Sequence, residues 1–60
     1  SMILDISVGD IVNVTIGTAT LDSQEIKSIP GENEIYWTLE DTVNGIITII
    51  GPSLTTMTKL

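Results

Sequence analysis

β-Branched residues dominate this chain, with 11 Ile, 4 Val and 9 Thr among 60 residues, and that excess constrains its fold more than any other feature. Two heavy atoms on Cβ stiffen χ1 and crowd a helix, whereas they pack well on a pleated, half-buried surface. An all-β fold follows. Turn signals at Val8-Gly9-Asp10, Gly17-Thr18, Pro30-Gly31-Glu32-Asn33, Asn44-Gly45 and Gly51-Pro52 divide the chain into short pieces. Four to six short strands fit between them.

Residues 10–16 alternate with period two, placing Val12, Val14 and Ile16 on one face and Ile11, Asn13 and Thr15 on the other, as in a half-buried strand. Residues 34–40 alternate as clearly, with Ile35, Trp37 and Leu39 against Tyr36, Thr38 and Glu40. Asn44-Gly45 is the strongest hairpin signal, since a type I′ turn requires positive φ at both central positions. It joins 34–42 to Ile46-Ile47-Thr48-Ile49-Ile50 as an antiparallel hairpin, with a short bulged connection as a variant. Residues 54–60 alternate again, and Leu4, Ile6 and Val8 offer a further edge strand.

Segment 18–29 supports two readings. As a strand it puts Ala19, Leu21 and Ile29 on one face but Ile26 out of phase, so it needs a bulge or break near Asp22-Ser23. As a short helical turn near 22–29 it takes Asp22 as N-cap, Glu25 three residues later, Ile26 and Ile29 on one stripe, and Pro30 as the stop.

Strands this short, joined by turns this tight, imply a small barrel or a strongly bent antiparallel sheet. Val8-Gly9-Asp10-Ile11-Val12 is similar to the opening turn and first strand of SH3-like barrels, a resemblance that covers about five residues closely and the strand count loosely. It implies an SH3-like barrel as the shape. Peptide-binding SH3 domains carry several groove aromatics, and here only Tyr36 and Trp37 are present.

Ser1-Met2 reads as a tag remnant before a start methionine, which makes 2–60 one small β domain and the expected complete product. A core of this size is marginal. Disulfides, metals and oligomers are the usual supplements. With no Cys and no His in the chain, self-association is the expected one. No run of about 20 apolar residues and no basic leader appear, so the expectation is a cytoplasmic protein, in the host cytoplasm if the source is viral. Lys27 and Lys59 face eight carboxylates, and there is no Arg. Such a chain cannot neutralise a row of duplex phosphates or bind an anionic membrane. One small phosphorylated ligand held by backbone N–H groups remains open.

Catalysis near neutral pH usually rests on groups that move protons readily, and His, Cys and Arg are all missing. No catalytic residue, metal site or cofactor is expected. Glu40-Asp41 is the one carboxylate pair worth naming, and a 60-residue domain offers little low-dielectric interior to raise its pKa. Asn13-Val14-Thr15 matches the N-glycosylation pattern but sits inside a strand.

Tyr36, Trp37 and Thr38 are the expected ligand-binding residues, with Tyr36 outward and Trp37 in phase with the core. Ile46, Ile47, Ile49 and Ile50 are the expected interface, because alternation puts Ile on both faces of one strand and only one face can meet the core. The second face is covered either by another subunit or by the segment around Ile3, Leu4 and Ile6. The expected function is a non-enzymatic homo-oligomeric binding protein, of a kind suited to a virus or phage, that sequesters a small nucleotide-like ligand. The alternatives are an acidic inhibitor or adaptor engaging a basic host protein, and a structural assembly subunit.

Overall fold

The computed structural model describes residues 5–60. It is all-β. β1 (Ile11–Ile16), β2 (Ala19–Ser28), β3 (Tyr36–Asp41), β4 (Gly45–Ile50) and β5 (Thr56–Lys59) form one antiparallel sheet, with a single 3₁₀ turn at Gly51–Ser53. The strand order is β4-β3-β2-β1-β5, and the two edge strands are not paired with each other, so the sheet is bent rather than closed.

Segment 18–29 is a strand and not a helix. Its phase problem is resolved by two bulges. Val12 pairs with Gln24 but Val14 with Leu21, so Asp22 and Ser23 together oppose Asn13. Ser23 takes φ 56°, and its N–H donates to Oδ1 of Asn13 at 2.9 Å, which caps the irregularity. Lys27 is the second extra residue, lying between the pairs Ile26–Leu39 and Ser28–Thr38. Bulges bend and twist the strand that carries them. Both fall on the central strand, so the sheet bends at β2 and stays open, with its concave face carrying the apolar side chains.

That face holds the core. Val12 and Val14 of β1, Ile26 of β2, Leu39 of β3 and Ile49 of β4 are buried together, and Met57 of β5 packs against them. Trp37 is half-buried at the margin of this cluster rather than at its centre. Ile35, expected in the same row, precedes the strand and is exposed.

The turns differ in detail from the sequence expectation. Ile6 and Val8 form no edge strand. Ile6 packs against the core, and residues 7–10 make a tight turn in which the Asp10 N–H donates to the Ser7 carbonyl and the Ser7 N–H donates back to Oδ2 of Asp10. Gly9, at φ 96°, donates its N–H to the Ile26 carbonyl and pins this turn to β2. Gly17, at φ 63°, fills the first position of a two-residue hairpin between Ile16 and Ala19, where a type II′ turn wants glycine. The β3–β4 connection is not the type I′ turn. Asp41 pairs with Gly45 across three turn residues in an unbroken register, and positive φ in this turn is confined to Gly45, so the reversal is a three-residue connection without a bulge in the ladder. Oδ1 of Asp41 accepts the N–H groups of Val43 and Asn44 and holds this turn. Leu4 and Ile3, named above as strand and covering residues, lie outside the described residues.

Candidate functional site

The β3–β4 hairpin sorts the expected interface residues into two sets. Register places Trp37 opposite Ile49 and Leu39 opposite Ile47, on the concave side with the core. The convex side carries the rows Tyr36–Ile50, Thr38–Thr48 and Glu40–Ile46. Here Ile46 is 57% exposed, Ile50 44% and Tyr36 54%. Ile47 and Ile49 are thus structural, and the outward pair is Ile46 and Ile50.

The expected ligand residues are divided in the same way. Tyr36 and Thr38 share the convex face while the Trp37 side chain lies on the concave one, so the two aromatic rings do not meet on one surface. Glu40 and Asp41 also project to opposite faces. Glu40 pairs with Lys27 at 3.3 Å, whereas Oδ2 of Asp41 accepts from Nε2 of Gln24. Their alternation in the strand prevents them from acting on one substrate atom. The Asn13 side chain of the glycosylation-like tripeptide is engaged with Ser23.

The convex face is acidic beside the apolar rows. Glu25 sits directly across from Glu40, a like-charge pair that would be unfavourable alone. Lys27, displaced by its bulge, reaches both, at 3.4 Å and 3.3 Å. The two carboxylates hold the Lys27 pKa above its ordinary value, with the Glu40 hydrogen bond the larger cause.

β4 is also an edge strand, and the phase of its backbone groups can be read from the chain beyond it. The Gly51 N–H donates to the Ile35 carbonyl at 2.6 Å, in the same register as the β3–β4 ladder. Hydrogen-bonded residues alternate along an antiparallel strand. Gly45, Ile47 and Ile49 therefore turn their backbone groups to β3, and Ile46, Thr48 and Ile50 turn theirs to the free edge. No charged residue, proline or bulge lies within Gly45–Ile50, and among the described residues no segment pairs with this edge, so it lacks the usual protections there. The opposite edge, β5, ends in Lys59.

One residue outside the expected set stands out. Gln24 is fully buried, and its Oε1 has no hydrogen-bond partner among the described residues, while Nε2 donates to the Asp22 carbonyl and to Asp41. The signal for it was present in the sequence: once a residue is inserted at Asp22-Ser23 to bring Leu21 and Ile26 into phase, Gln24 falls on the face of Ile26. Among the described residues no group of three or more carboxylates is arranged to hold a metal ion, and no helix is long and apolar enough to cross a membrane. Comparison of the chain with protein-family models, with curated proteins and with solved structures finds no match.

Proposed function

We propose that this protein is a non-catalytic, self-associating binding module whose contact surface is the β4 edge together with the convex face of the β3–β4 hairpin. The observation that carries the reading is the coincidence of Ile46, Ile50 and Tyr36, all substantially exposed, with an edge strand that bears no charge. Either feature alone is a liability for a monomer, and together they favour burial against another chain. The small core points the same way, since an added interface supplements what the five buried apolar side chains among the described residues supply.

The same geometry gives less support to sequestration of a nucleotide-like ligand, because Tyr36 offers one ring for stacking and Trp37 is on the other face. Sedimentation equilibrium at micromolar concentration tests the main reading. The expected result is a species heavier than the 6.4 kDa chain, reduced to monomer by Ile46→Glu with the circular dichroism of the fold retained. A wild-type monomer throughout that range overturns it.

A further inference from the structure

The run Gly45-Ile46-Ile47-Thr48-Ile49-Ile50-Gly51 reads the same in both directions, with Thr48 at its centre. It coincides with the unprotected edge strand and its first following residue. We infer that two copies of this chain pair β4 to β4 antiparallel about a two-fold axis at Thr48, joining two five-stranded sheets into one continuous ten-stranded sheet. This rests on the self-association proposed above and specifies its partner, register and symmetry.

Three independent features converge on that register. The first is backbone phase. The residues whose N–H and C=O groups face the free edge are Ile46, Thr48 and Ile50, a set symmetric about Thr48. A two-fold axis there sets Thr48 against Thr48 of the second copy, and Ile46 against its Ile50. All three pairs are then of the hydrogen-bonded kind, and each exchanges two bonds, roughly six in all. A shift of the axis by one residue in either direction leaves fewer of these groups opposed.

The second feature is side-chain matching. In this register the convex face places Ile46 beside Ile50 of the second copy at both ends of the seam, with Thr48 beside Thr48 between them. The Ile46–Ile50 contact at one end of the seam recurs as Ile50–Ile46 at the other, as an isologous contact requires. Across the hairpin the rows continue to Tyr36 and Glu40, so each exposed isoleucine gains an apolar lateral neighbour on the side away from its own β3 partner. The third feature is charge. A chain of net charge −6 repels its own copy, and the contact must exclude carboxylates. The seven-residue run carries none, although Glu40 and Asp41 stand on the strand beside it. A basic partner would gain nothing from such a strand, whereas a second copy requires it.

Since the chain has no cysteine, single-cysteine variants report the register directly. Residues opposed in a hydrogen-bonded pair have Cα atoms about 5.5 Å apart, within disulfide reach, while residues displaced by four positions along the strand are separated by about 13 Å and are not. Under mild oxidation Thr48→Cys should form a covalent dimer by itself. Ile46→Cys and Ile50→Cys should each fail alone and cross-link when mixed. Thr48→Pro supplies a second arm. It removes an N–H that faces the edge and not β3, so the monomer keeps its own ladder and the dimer is lost, read as a halving of the sedimentation mass with unchanged circular dichroism. A wild-type dimer in which Ile46→Cys cross-links alone, or Thr48→Cys does not cross-link, overturns the register while leaving self-association intact. A folded Thr48→Pro variant that stays dimeric overturns edge pairing, and a monomeric wild type overturns both readings.

Discussion

Gln24 illustrates how a single polar side chain can tie a core to a turn. It is buried between β1 and β3, and reversing its amide would set Oε1 against two acceptors, the Asp22 carbonyl and the Asp41 carboxylate, so the present orientation is the favourable one. Its donated bond is the largest cause of the lowered Asp41 pKa, ahead of the Asn44 and Val43 amides. Gln24→Met keeps the unbranched shape and removes the unpartnered oxygen, but it also removes the donor to Asp22 and Asp41 and should cost about 1–3 kcal/mol, whereas Gln24→Ala adds a cavity costing about 2–4 kcal/mol. In Gln24→Met the Asp41 carboxyl should titrate closer to its ordinary value, followed by NMR; an unmoved midpoint would show that the turn amides alone set it. The linkage has a definite sign. Asp41 and Asp10 are both depressed below 3.8, Asp10 chiefly by the Ser7 N–H, so their contributions are complete above that value and are lost as pH falls through the lower folded-state values. Relief of repulsion among eight carboxylates acts in the opposite direction on acidification. The diagnostic quantity is therefore the difference between wild type and Asp41→Asn, which should shrink below about pH 4 in denaturant melts.

Among the elements, the β3–β4 hairpin was legible and its turn only partly so. Asn44-Gly45 correctly marked the reversal, but the same dipeptide suits two turns, and the choice was made by Asp41, whose carboxylate organises Val43 and Asn44 from the last strand position. Single substitutions separate the two geometries. Gly45→Ala meets no atom within 4 Å but must hold φ 78°, so it should cost about 1–2 kcal/mol through backbone strain alone. Asn44→Ala should cost no more than about 0.5 kcal/mol, because Asn44 needs no positive φ. Equal losses at both positions in urea melts would indicate a type I′ turn in solution. β2 shows the opposite balance. Its first bulge could be inferred from the phase of Leu21 and Ile26, yet its second, at Lys27, gives no such signal, because Lys27 and Ser28 are both polar and tolerate either face. The cap from Asn13 to Ser23 was equally hidden, since it joins two strands through a register no local pattern fixes. Asn13→Ala should cost about 1 kcal/mol, the usual worth of a lost bond to a backbone amide, and Ser23→Gly should recover about 0.5 kcal/mol by easing φ 56°.

For the molecule as a whole, composition and alternation specified an all-β domain, but not whether the sheet would close, because closure depends on where β2 bends and which strands become edges. Among the described residues the bent sheet leaves β4 unpaired on one side, and that converts the doubly apolar strand from a packing puzzle into a surface. The division of Ile46 and Ile50 from Ile47 and Ile49 was not decidable from alternation, since both sets are isoleucine; the three-residue turn after Asp41 settles it by fixing register. The core of five buried apolar side chains among the described residues gives the chain little margin, and truncation at its centre should show this. Leu39→Ala, expected to cost about 2–5 kcal/mol, removes most of what a domain this small can hold. Association then becomes part of folding stability rather than an addition to it. If only the folded chain pairs through β4, mass action stabilises the native state in proportion to the logarithm of protein concentration. The wild-type thermal midpoint should therefore rise by several degrees between about 1 and 100 μM, since roughly 1 kcal/mol corresponds to about 4–8 °C for a domain of this size. Ile46→Glu, which places a carboxylate on the seam, should abolish that dependence and leave a midpoint equal to the dilute limit of the wild type. A concentration-independent wild-type midpoint would mean that the fold is complete in the monomer and that β4 contributes nothing through pairing.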